Sequence, residues 1–121
     1  MLFHDPLAFL AEVESIAHAG ARELMGFWRS LAAEQVSEKA RNDLVSEADL
    51  ASERAIVAAV RERFPDHRVL SEEAGWTRDD GSGPAWIVDP LDGTTNYVHG
   101  VPHFAVSIGI AVEGRIDFGV I

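Results

Sequence analysis

Apolar residues recur at steps of three and four through Leu10, Val13, Ala17, Ala21, Leu24, Trp28 and Leu31, the spacing that lays one stripe along a helix. Asp5 before Pro6 offers an N-cap followed by proline at the first helical position, where a missing N–H costs nothing. The pattern therefore predicts one long amphipathic helix from Pro6 to about Ala33. The stripe is lost from Glu34 to Asp43, which predicts a loop or a short exposed hairpin. Ser46, with an acid three residues on at Asp49, has the form of a capping box, and Leu50, Val57 and Phe64 carry a second stripe as far as Pro65. Val69 and Leu70 predict a short buried strand, and Trp86 to Val88 another. Phe104 to Val112 and Arg115 to Ile121 predict two more, joined by Glu113 and Gly114 at the spacing of a two-residue hairpin. Between the first two of these strands Arg78 to Pro84, with Asp79, Asp80, Gly81 and Gly83, is turn material. Two long N-terminal helices packed on a largely antiparallel sheet make an α+β fold, with residues 1–121 as one unit and no internal repeat.

Composition narrows the functions open to such a fold. The chain has 121 residues, 47% of them hydrophobic and 25% charged, which is the globular range. Twenty acidic residues against ten basic ones give a net charge of −10, the wrong sign for binding a nucleic-acid polymer through its phosphates. With no cysteine, disulfides, thiolate metal sites and cysteine nucleophiles are excluded, and a cytoplasmic location is expected. No apolar run reaches the length of a membrane span, and the N-terminus lacks the basic start of a signal peptide, so no membrane partner is expected. The apolar ending at Gly119, Val120 and Ile121 invites pairing, which suggests a chain cut short or one that finds its partner elsewhere.

The densest chemistry is Asp89-Pro90-Leu91-Asp92-Gly93-Thr94-Thr95-Asn96, directly after a strand. Gly93 permits close backbone approach, and Thr94 to Asn96 can open a helix whose N–H groups suit a phosphate. Two carboxylates about 5 Å apart at an effective dielectric of about 20 repel by roughly 3 kcal/mol. Asp89 and Asp92, joined by Glu72 or Glu73 from another strand end, are the hard oxygen donors that Mg²⁺ takes. Plainer readings stand beside these. The Asp89 run can be an Asx-type turn, the Glu pair a surface turn, Asp49 a capping acid, and His99 and His103 packing or hydrogen-bonding residues. Trp28, Trp76 and Trp86 read as core or interface rings, and Lys39, Arg41, Asp79 and Asp80 as solvated. An EF-hand from Asp89 fails because its twelfth position is Gly100. A haloacid-dehalogenase aspartyl nucleophile fails on spacing, since Asp89 and Asp92 are three apart, and no P-loop is present.

Three segments in order carry a resemblance: Asp43 to Asp49, Leu70 to Glu73, and Trp86 to Gly100. On these the chain resembles the N-terminal half of the inositol monophosphatase family of magnesium-dependent, lithium-sensitive sugar phosphatases. The resemblance implies the first half of a layered αβαβα fold and hydrolysis of a small phosphate monoester such as inositol monophosphate. Residue by residue, it implies that Glu72, Asp89 and the Leu91 carbonyl hold one metal, that Asp89 bridges to a second, and that Asp92 holds that second metal. Gly93 and Thr94 would grip the phosphate beside Asp92, and Asp49 with Thr94 would orient the attacking water near Glu72. Lys39 falls one residue out of step with a family lysine and is left unassigned. Mg²⁺ is the implied cofactor, Mn²⁺ a substitute and Li⁺ an inhibitor, with a homodimer as the implied assembly. Family members are about twice this length, and their C-terminal half supplies a further metal-binding aspartate and most contacts to the alcohol. Histidinol phosphate or a nucleoside 3′-phosphate is the alternative substrate. The alternative of another kind is a truncated, non-catalytic remnant that binds metal or dimerises.

Overall fold

The computed structural model of the chain describes residues 4–40, 43–78 and 83–121. Helix α1 spans Pro6–Phe27, capped by the Asp5 side chain, which accepts from the Ala8 N–H at 3.1 Å. Its buried face is Phe9, Val13, Ile16, Ala17, Gly20 and Leu24, so Leu10 and Ala21 of the expected stripe sit at its half-buried margin. The helix stops at Phe27 and not near Ala33. Trp28 leaves it to pack 5.3 Å from the Tyr97 ring and 4.9 Å from Phe104, while Arg29 takes a left-handed φ of 59° and donates to the Gly100 carbonyl. Packing against a distant segment has overridden the local periodicity.

A short 3₁₀ turn at Ala33–Gln35 leads into an antiparallel hairpin of β1 (Val36–Ala40) and β2 (Asp43–Ser46), the second of the two outcomes expected for this polar stretch. Helix α2 spans Glu47–Arg63, with the Ser46/Asp49 capping box formed as expected. The remaining elements are β3 (Arg68–Ser71), β4 (Gly75–Arg78), β5 (Ala85–Asp92), the short helix α3 (Thr94–Val98), β6 (Ala105–Val112) and β7 (Arg115–Val120). Glu113 and Gly114 turn the last hairpin with φ of 52° and 79°, the paired positive values that a two-residue primed turn requires.

The five-stranded sheet has the order β4-β3-β5-β6-β7 and is antiparallel except between β3 and β5, which run parallel. The parallel pair and the edge strand β4 were not expected. β4 is too short to show a period of two. The fold is α+β with a mixed sheet. Alternate residues Val69, Trp86, Val88, Val106, Ile108 and Ile110 are buried beneath α1 and α2, and burial of each such side chain contributes about 1.5–3 kcal/mol. The opposite face carries Leu70, Ile87, Gly109 and Ile116, with Ile87 41% and Ile116 56% exposed. Among the tryptophans, Trp86 is wholly buried and Trp28 half-buried, whereas Trp76 is exposed under the Arg68 guanidinium. No described helix is long and apolar enough to cross a membrane. Arg41, Asp79, Asp80 and the Lys39 side chain lie outside what is described.

Candidate active site

Parallel pairing sets Ser71 beside Val88, so Glu72, just past the carboxyl end of β3, stands next to Asp89, which is still paired with Ser107 in β5. Open sheets commonly bind ligands at this end. The Glu72 N–H donates to the Val88 carbonyl at 3.1 Å, extending the ladder one step beyond the strand. Asp89 is half-buried, and its carboxyl is pushed up to about 7. Burial is the largest cause; a hydrogen bond with Glu72 and the charges of Glu72 and Asp92 add to it, and the Leu91 N–H, donating to Asp89 Oδ1 at 3.2 Å, works against it. Oxygen-rich side chains have been brought close enough that holding a proton near neutrality relieves them.

Beyond Asp89 the ladder slips. Asp89 faces Ser107, but the next pair is Asp92 with Ala105, so Pro90 and Leu91 bulge from β5. Gly93 then takes φ of 95°, and a Cβ there would lie 2.9 Å from the His103 carbonyl oxygen, so both the backbone angle and the space demand glycine. This turn delivers Thr94 to the start of α3. Its Oγ1 lies 2.8 Å from Asp49 Oδ2 and 3.2 Å from the Leu91 carbonyl, and the shorter contact is the better donation to a carboxylate.

Asp49 is 1% exposed and fully engaged. Its Oδ1 accepts from the Ser46 N–H and hydroxyl, and its Oδ2 from Thr94. The capping reading and the site reading therefore describe one carboxylate that uses its two oxygens separately. Tyr97, buried near the end of α3, donates to the Leu24 carbonyl at 2.7 Å and fastens α3 to α1; burial and the Asp49 charge push its phenol up to about 12.

Glu72, Asp89, Leu91, Asp92, Gly93 and Thr94 all line one depression of about 260 Å³, and Asp49 reaches it through Thr94. Glu73 does not line it and acts instead on Glu53, whose pKa its charge helps to raise. His99 bonds the Thr95 carbonyl oxygen through Nδ1, and the His103 backbone carbonyl accepts from Asn96, so both are tied into the turn. Among the described residues no three His, Cys, Asp or Glu side chains stand together as a ready cation cage. The oxygens that could hold a cation there are the Glu72–Asp89 carboxyl pair and the Leu91 carbonyl, with the Asp92 charge beside them. Hard oxygens crowded together in this way suit Mg²⁺.

Two buried polar residues of α2, Ser52 and Glu53, escaped the sequence reading. They lie three and four positions after Asp49, on the same helix face, and that spacing was the signal available. The Ser52 hydroxyl donates to the Pro90 carbonyl at 2.8 Å. Glu53 faces Ser71 and the Ala74 N–H, and burial raises its pKa.

The sequence model described as Inositol monophosphatase family matches residues 7–121. The Nus factor SuhB of Pseudomonas aeruginosa is 49% identical over 88 residues, 71% of this chain and 32% of that protein. The chloroplastic phosphatase IMPL1 of Arabidopsis thaliana is 42% identical over 111 residues, 92% of this chain and 29% of that one. The extragenic suppressor protein SuhB of Bartonella henselae superposes with a TM-score of 0.88 at 37% identity, covering 93% of this chain and 44% of that one. An IMPase from Thermotoga maritima gives 0.83 at 32% identity, covering 93% and 43%. The chain thus spans about a third of the curated relatives' length and under half that of the solved structures.

Proposed function

The chain belongs to the inositol monophosphatase family, and from that premise we propose that it is the phosphate-handling part of a magnesium-dependent phosphomonoester hydrolase, with inositol monophosphate as substrate. The observation that carries this reading is the 2.8 Å bond from Thr94 Oγ1 to buried Asp49, opening on the depression that holds the Glu72–Asp89 pair. Thr94 can take a proton from an attacking water as it passes its own to Asp49 Oδ2, which is general-base catalysis through a hydroxyl. The water oxygen bonds to phosphorus in line with the departing ester oxygen, the P–O ester bond breaks, and the alkoxide leaves as the alcohol with a proton from solvent. Glu72, Asp89 and the Leu91 carbonyl would hold the cation, with Asp92 beside it toward a second. Bound there, Mg²⁺ or Mn²⁺ would supply Lewis acidity that lowers the pKa of water and offsets charge building on the phosphoryl oxygens. The N–H groups of Gly93 and Thr94 would orient the phosphate.

Titration calorimetry with magnesium tests the reading on this chain, and absence of heat at millimolar Mg²⁺ would overturn it. Phosphate release from inositol monophosphate, histidinol phosphate and a nucleoside 3′-phosphate, by a family-length protein carrying these residues, then ranks the substrates. Lithium is expected to inhibit, and sedimentation is expected to give a homodimer.

A second reading, a role as a Nus factor, is supported by the 49% identity to the Pseudomonas protein of that name. Magnesium binding without phosphate release by the family-length protein would favour it, or a non-catalytic remnant, over the hydrolase.

A further inference from the structure

Three inward positions of α2 each reach a different segment of the site. Asp49 bonds Thr94, Ser52 bonds the Pro90 carbonyl, and Glu53 faces Ser71 and Ala74, which flank Glu72. Asp49 has chemistry of its own in the hydrolysis proposed above, and Ser52 has none.

Ser52 is wholly buried, in a place where a helix would ordinarily carry an apolar residue. A helical serine commonly turns its hydroxyl back to the carbonyl four residues earlier. Here it crosses to β5, and its acceptor is the carbonyl between Asp89 and Leu91, inside the bulge where the ladder register slips. The N–H of that same peptide, on Leu91, donates to Asp89 Oδ1 at 3.2 Å, so the peptide that Ser52 holds by its oxygen holds the Asp89 carboxyl by its nitrogen. The hydroxyl is also confined from behind. A Cβ at Gly20 of α1 would lie 2.6 Å from Ser52 Oγ and 2.6 Å from Ile56 Cδ1, so the helices meet at a glycine with no room to spare around the hydroxyl.

We propose that Ser52 is a positioning residue: by holding the Pro90 carbonyl at the bulge, it sets the orientation in which the Asp89 carboxylate and the Leu91 carbonyl are presented to a divalent cation. The inference rests on the reading of Glu72, Asp89 and Leu91 as the magnesium donors. Groups that orient metal ligands typically change affinity by about 10- to 100-fold when removed. Neutral oxygen to neutral oxygen is the weaker kind of hydrogen bond, so the lower end of that range is expected.

Ser52→Ala tests this, since alanine favours helix and vacates only one oxygen's space. In the metal-free protein, hydrogen exchange at the Leu91 amide, which bonds Asp89 Oδ1, is expected to quicken about tenfold as the bulge loosens. The magnesium dissociation constant is expected to rise about tenfold. Ile56→Val, on the same buried helix face, controls for a general loss of stability and is expected to leave both readouts unchanged. If Ser52→Ala matches the wild type in exchange and magnesium affinity, or if Ile56→Val moves both equally, the positioning role is overturned while the magnesium site stands. If the wild type gives no magnesium heat at all, the site reading falls and takes this role with it.

Discussion

The first four residues of β5 and the last four belong to one strand packed against α2, yet they are built to opposite rules. Ala85 to Val88 pair without a slip on both sides, and Trp86 is wholly buried with its ring 6.0 Å from Phe9 and 5.7 Å from Phe64. Asp89 to Asp92 break the ladder, bulge at a proline, and half-bury one carboxyl against Glu72, so that burial first and Glu72 second raise it to about 7. One half of the strand, packed against α2 and Phe9, gathers interactions that satisfy each other. The other gathers like charges that a cation would satisfy. Strain and repulsion kept at a site are offset by packing elsewhere, and here the offset sits four residues away on the same strand.

The sharpest way to break this division is to damage the packed half. Trp86→Ala is expected to cost about 3–5 kcal/mol in urea unfolding, a large share of the stability of a domain this size, because it opens a cavity among Phe9, Phe64 and His67. Magnesium affinity per folded molecule should stay at the wild-type value. A parallel loss of affinity would mean that the two halves are not separable. Thr94→Val works from the other side. It keeps the side-chain shape, removes the donor to Asp49, and is expected to slow phosphate release about 100-fold or more in a family-length protein at saturating magnesium. Unchanged turnover would remove Thr94 and Asp49 from the chemistry.

Asp89→Asn should separate stability from function most plainly. Losing a carboxyl that burial and Glu72 both disfavour is expected to raise the melting temperature of the metal-free protein at pH 8 by roughly 2–5 °C. The same variant should lose the calorimetric response to magnesium. A lower melting temperature would show that the carboxylate is already satisfied without a cation.

The division also explains what could be read from the chain alone. The site half is written in local residue types: Asp89, Pro90, Asp92, Gly93 and Thr94 adjoin in sequence, and their turn needs little from elsewhere. The Asp5 cap and the Ser46/Asp49 box are local too. What escaped depends on distant partners. The end of α1 is decided by Trp28 meeting Tyr97 and Phe104 about 70 residues on, which no window of helical period contains. Ser52 and Glu53 look like ordinary polar helix residues until α1 and β5 close over them. The parallel pairing that sets Glu72 beside Asp89 is a matter of strand order, on which residue patterns within each strand are silent.

The smallest expected effect bears on the packed half and its tolerance of acid. His67 stacks 4.8 Å from the Phe64 ring, and its Nδ1 accepts from the Trp86 indole N–H at 3.0 Å. An accepting Nδ1 must be unprotonated, and burial lowers the His67 pKa below its ordinary 6.5, with the nearby Asp66 charge only partly opposing. The folded state therefore binds a proton less readily than the unfolded one. As pH falls through 6.5 the unfolded chain takes up the proton first, so this residue's contribution is full above 6.5 and declines on acidification until the folded form titrates as well. His67→Gln keeps an acceptor for Trp86 but cannot titrate. In urea unfolding at pH 7.5, 6.5 and 5.5, the stability of the wild type relative to His67→Gln is expected to fall with decreasing pH, while magnesium affinity at pH 7.5 is the same in both. A pH-independent difference would mean that His67 is held by its rings alone and not by the lone pair it offers Trp86.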